Sequence, residues 1–143
     1  MIKTKMMSGG VPLSGLHLVW HELWPLLEPA VKRTPDKPDV LARLIARDAQ
    51  LWAVYEDSAP IAAIVTTIML DASMKKCRLW LIGGSRATDW AGDFVPQVAH
   101  WARGLGCTAL WASGREGWAR LAKRLGWENV GTVAGFPAWE RSL

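Results

Sequence analysis

The sequence is poor in the side chains that would announce a chemistry. Its two cysteines, Cys77 and Cys107, lie on separate apolar stretches with no CxxC spacing and no histidine cluster beside them. That pattern argues against a disulfide scaffold and a zinc site, and it assigns both thiols, reduced, to the core. Three histidines and one tyrosine supply few groups for moving protons. His17 and His21 share a helix face but have no third ligand near them, so no metal is expected. The longest apolar run, 61–70, falls far short of the roughly 20 residues of a membrane helix, and no membrane partner is expected. The start MIKTKMMSGG carries lysines without an apolar stretch of signal-peptide length behind it, which points to the cytoplasm. A formal charge of +4 permits an anionic partner without arguing for one.

Tryptophan is what the chain has in excess, ten in 143 residues. Each indole brings a large apolar area and one N–H that wants a partner. Ten are hard to bury in one domain of this length, so some are expected at a surface, a groove or a subunit contact. The remaining composition, half hydrophobic and about a fifth charged, is that of a globular domain.

Hydrophobic spacing predicts a helix over 19–31, with Val19, Leu23, Leu26, Leu27 and Ala30 on one face and Pro25 as its weak point. After a polar loop, Asp39 offers an N-cap to a short helix carrying Val40, Leu41, Leu44 and Ile45. The period then changes to that of strands at 51–57, 61–70 and 77–82, joined by short turns as an antiparallel meander. Continuous apolar content in the latter two predicts burial on both faces. Phe94, Val98, Trp101 and Leu105 mark an amphipathic helix with Pro96 near its first turn and Gly104 and Gly106 at its end. A strand over 108–112 follows, then a helix with Trp118, Leu121, Ala122 and Leu125 inward, a strand over 127–133, and a closing stretch, AWERSL, that pairs at an edge. The strand–helix–strand crossover makes 77–82 and 108–112 parallel neighbours.

This succession resembles the GNAT superfamily, the acyl-CoA-dependent N-acyltransferases, over nearly the whole chain. WARLAKRLGWENVG looks like the superfamily's closing helix and following strand, with Gly126-Trp127 as its Gly-aromatic pair. LWLIGGSRATDW, VAHWARGLGC and SGREGWARLAKRLGW together resemble GNAT-like proteins encoded by bacteriophages and prophages. The resemblance implies an α/β (α+β) fold: a single domain over 11–143 after a flexible segment 1–10. It has a mixed, mostly antiparallel sheet of about five to seven strands, about four helices and one splayed parallel pair. It also implies acetyl-CoA or another acyl-CoA as cofactor. The pantetheine arm would lie in the gap between the parallel strands, and the pyrophosphate on N–H groups at the start of the next helix. The residues so placed are Leu81, Ile82, Gly83, Gly84, Ser85, Arg86 and Ala87.

The superfamily's phosphate loop (Gln or Arg, two residues, Gly, any residue, Gly or Ala) fits neither register here. From Ile82, Ser85 stands at the central Gly; from Arg86, Asp89 does. Two readings of the junction stay open. Either Gly83-Gly84 turns the chain and Thr88 or Asp89 caps the helix, or Gly83, Gly84, Ser85 and Arg86 form an anion nest with Arg86 as counter-charge. The family's tyrosine acid falls at Ala122, which has no proton to give. Glu116 is the candidate base, with Glu56, Asp57 and Asp71 as other carboxylates. Basic residues interleave with Trp118 on the closing helix, but Trp118 falls on the inward face, so nucleic acid is not an expected partner. Two functions result. One is an N-acyltransferase acting on a small-molecule or protein amine. The other is a non-catalytic phage assembly or binding protein on the same scaffold, in the host cytoplasm or on the virion, with a homo-oligomer or virion contact lined by Trp.

Overall fold

A computed structural model describes residues 5–143. The first strand, β1 (Met6–Gly10), leads through a 3-10 turn at Leu13–Gly15 into α1 (Leu16–Lys32) and α2 (Val40–Ile45). Strands β2 (Gln50–Glu56), β3 (Ala59–Asp71) and β4 (Met74–Gly84) form the expected meander, followed by α3 (Ala87–Gly104) and β5 (Ala109–Ser113). A 3-10 turn at Glu116–Trp118, α4 (Ala119–Arg124), β6 (Glu128–Val133) and β7 (Phe136–Ser142) complete the chain. The strands form one sheet in the order β1-β2-β3-β4-β5-β7-β6. Its β4–β5 pair is parallel; the other pairs are antiparallel.

Alternation along β3 shows how the sheet is covered on both faces. Ala62 and Ile64 pack toward α3, with Phe94 and Val98. Ala63 and Val65 pack toward α1 and α2, with Leu23, Leu27 and Val40. Asp39 caps α2 as expected, accepting a hydrogen bond from the Ala42 N–H at 3.0 Å. Cys77 and Cys107 are buried free thiols.

Four expectations are corrected. Met6–Gly10, placed in a flexible segment by a sequence that also allows an edge strand at each end of the chain, is an edge strand paired with β2. Edge pairing is made by backbone groups and tolerates the sequence MMSGG, whose residues have little strand preference; residues 1–4 lie outside the described residues. Helix α1 runs through Pro25 and Pro29, both on its exposed side, where the carbonyls they leave unpaired can meet water. Pro96 lies well inside α3, which starts earlier than the apolar stripe suggested. The closing stretch is β7, an inner strand between β5 and β6, and β6 forms the edge.

Candidate active site

Strands β4 and β5 pair only at Lys76, Cys77 and Arg78, opposite Ala109, Leu110 and Trp111. Beyond these rungs β4 continues to Gly84 beside β3, while β5 follows β7. A bulge accompanies the divergence: Leu79 pairs with Thr66 and Leu81 with Val65, so Trp80 is the extra residue on β4. An added residue bends and twists the strand that carries it. The result is a wedge in the sheet.

A cavity of about 540 Å³ occupies this wedge. Ala30, Arg33 and Thr34 at the end of α1 line it, and so do Trp90, Ala91 and Phe94 of α3. Because α1 and α3 cover opposite faces, the cavity passes through the sheet. Six of the ten tryptophans line it: Trp80, Trp90, Trp111, Trp118, Trp127 and Trp139. The tryptophan excess therefore serves a groove. Leu121, Ala122 and Leu125 face inward as expected, half-buried against the α3-side core, and they also line the cavity, so the stripe on α4 is core that doubles as a wall.

The charged lining residues are Arg33, Arg78 and Arg115, and the lining holds no carboxylate, histidine, tyrosine, cysteine or lysine. Its hydroxyls are engaged, with Ser113 donating to the Pro137 carbonyl and Thr34 to that of Ala30. Glu116 is exposed at the 3-10 turn and outside the lining. Glu56 pairs with Arg86, Asp57 accepts from the Lys5 N–H, and Asp71 pairs with Lys76. None of these carboxylates reaches the wedge. Among the described residues, no three metal-ligating side chains cluster.

The junction 81–87 divides. Leu81, Ile82 and Ala87 line the cavity, and Gly83, Gly84, Ser85 and Arg86 do not. A Cβ on Gly83 would stand 1.9 Å from the Leu26 carbonyl oxygen of α1, so that glycine lets the helix lie on the strand. Gly84 has φ +111°, and a Cβ there would meet the Ile61 carbonyl at 2.2 Å. The Ser85 N–H donates to Ile61, and the Ser85 carbonyl accepts from Trp90 Nε1 at 2.8 Å. Arg86 donates to Glu56 at 2.7 Å and to Asp89 at 3.0 Å, and these two carboxylates raise its pKa.

The start of α3 has no side-chain cap, contrary to the reading in which Thr88 or Asp89 supplies one. The N–H groups of Ala87 and Thr88 have no hydrogen-bond partner among the described residues. Arg124, reaching from α4, donates to the Thr88 carbonyl at 3.3 Å and brings a cation to this point. Sequence reasoning passed over Arg33 and Arg78 and met Arg124 only among the basic residues of the closing helix, since their places come only from tertiary packing. An indole N–H, that of Trp127, is buried in the cavity wall without a partner among the described residues.

An acyl-CoA fits these features at three points. The unpaired β5-facing edge of β4 can receive the amides of a pantetheine arm, uncapped helix amides suit a pyrophosphate, and Arg124 supplies counter-charge.

The sequence matches no family model and no curated relative. Solved structures do match. An agmatine N-acetyltransferase superposes with a TM-score of 0.69 at 13% identity, over 96% of this chain and 99% of that one. FeeM, an N-acyl amino acid synthase from uncultured soil microbes, gives 0.67 at 10% identity, over 99% and 91%. A GNAT family acetyltransferase from Elizabethkingia anophelis with acetyl-CoA bound gives 0.63 at 11%, over 96% and 98%. The seven-stranded sheet with its one parallel pair is the GNAT fold.

Proposed function

We propose that the protein is an acyl-CoA-dependent N-acyltransferase. The observation that carries this reading is the three-rung β4–β5 pair opening onto a through-sheet cavity. GNAT neighbours solved with acetyl-CoA or coenzyme A support it. Leu81, Ile82 and Ala87 flank the arm, the Ala87 and Thr88 amides with Arg124 hold the pyrophosphate, and the apolar walls exclude water. A bound acyl-CoA would supply an activated thioester from which an acyl group could pass to an amine, with the thiol of coenzyme A as leaving group and the amine's proton going to it or to water. Since no base lines the cavity, the acceptor enters as the neutral amine, and the rate rises with pH up to the acceptor's own pKa.

The lack of a proton-moving side chain, with Ala122 in place of a phenol, favours a second reading: a binding protein that does not turn over. Acetyl-CoA titrated during thermal unfolding tests the first and separates the two. At a hundredfold excess over Kd it stabilises by about 2.7 kcal/mol, and a suitable amine then releases free thiol. A melting temperature unmoved through a millimolar titration removes the acyltransferase; a shift with no thiol released from any amine leaves the binder.

A further inference from the structure

We infer that the α1 end of the cavity is a carboxylate site, and that the acceptor is an apolar amino acid or a similar amine-bearing carboxylate. Its role as acceptor rests on the acyltransferase reading; the site itself rests on geometry. Arg78 occupies the last paired rung of β4, at the apex of the wedge. It lines the cavity and is half-buried, and its guanidinium has neither a hydrogen bond nor an ion pair among the described residues. Its close neighbour is the Trp111 ring, 5.7 Å from the guanidinium carbon. Burial lowers its pKa, repulsion from Arg43 adds to this, and Asp36 opposes both without forming an ion pair.

Arg33, beside the end of α1, lines the same end of the cavity. Arg43 lies over the Trp80 ring at 4.5 Å, so three cations and two indoles gather at this end. A half-buried cation without a partner is costly, and an anion is what relieves it. A guanidinium presents paired N–H groups that match both oxygens of a carboxylate. Trp80, Trp111 and Phe136 supply walls for an apolar body. A carboxylate at Arg78 places an amine two or three bonds away, beside the apex where β4 and β5 part, which is where the thioester of a bound acyl-CoA would have to reach.

Calorimetric titration of the free protein with phenylpropionate, and with its neutral isostere phenylpropanamide, tests the site without acyl-CoA. The acid should bind about tenfold tighter or more, the order of one charge-assisted hydrogen bond. Arg78→Gln should erase the preference, and Arg78→Lys should keep part of it. Equal binding of acid and amide by the unaltered protein, or no binding of either, overturns the inference whatever the variants do. Acetyl-CoA thermal shifts on the same preparations tell the two failures apart. A shift without acid preference ends the carboxylate site alone; acid preference without a shift ends the acceptor role and keeps the site.

Discussion

At the scale of single residues, Gly83 shows where legibility stops. The letters Gly83-Gly84 were readable as a place where backbone must come close to something, and the structure supplies that something as the Leu26 carbonyl of α1. A phosphate and a helix make the same demand on a sequence, and only packing between distant segments tells them apart. Arg86 illustrates the same limit: a cation beside a glycine pair reads as counter-charge, yet Glu56 and Asp89 already hold it. Gly83→Ala is therefore expected to destabilise the free protein by about 1–3 kcal/mol or more, as overpacking does. The midpoint of urea unfolding without ligand measures it. An unchanged midpoint with lost acetyl-CoA binding would return the glycine to the cofactor.

At the scale of elements, periodicity named the strands and helices because each buries a regular face. The meander, the capped α2 and the parallel pair were all legible for that reason. What periodicity did not convey is whether an apolar face meets core alone or an opening as well: the α4 stripe packs against the α3-side core and also walls the cavity. Nor did it fix strand order, since β6, exposed along its whole length, carries no burial signal to place it at the edge. The wedge is a property of β4 and β5 together and predicts a pattern in hydrogen exchange. Amides of 79–82 that face β5 should exchange faster than those of the rungs 76–78, and acetyl-CoA should slow the former selectively. Uniform protection along β4 in the free protein would mean that the strands stay zipped in solution.

At the scale of the whole molecule, the two cores hang on the same strands, because neighbouring residues of β2, β3 and β4 face α3 and α1 in turn. A perturbation in one layer should therefore unfold both. Cys77 supplies such a perturbation without a mutation. It is fully buried in the α3-side core, and burial, reinforced by Cys107, pushes its thiol from 9.0 up to about 12, against a hydrogen bond with Thr66. Below pH 9 the thiol is protonated in both states, and its contribution to stability is intact. Between pH 9 and about 12 only the unfolded chain loses the proton, so stability falls. At roughly 1.4 kcal/mol per pH unit the loss reaches about 4 kcal/mol across that window. Denaturant unfolding should show the midpoint sliding down from pH 9, and Cys77→Ala should make that slope shallower. The remainder comes from Cys107 and Tyr55, whose pKa values burial also raises. Fluorine NMR of protein labelled with fluorotryptophan can follow the stacked Trp20–Trp24 pair of α1 beside Trp90 of α3. Both sets of signals should leave the native positions in one transition; loss of the Trp90 signal while the Trp20–Trp24 signals stay native would show that the sheet does not couple its two faces.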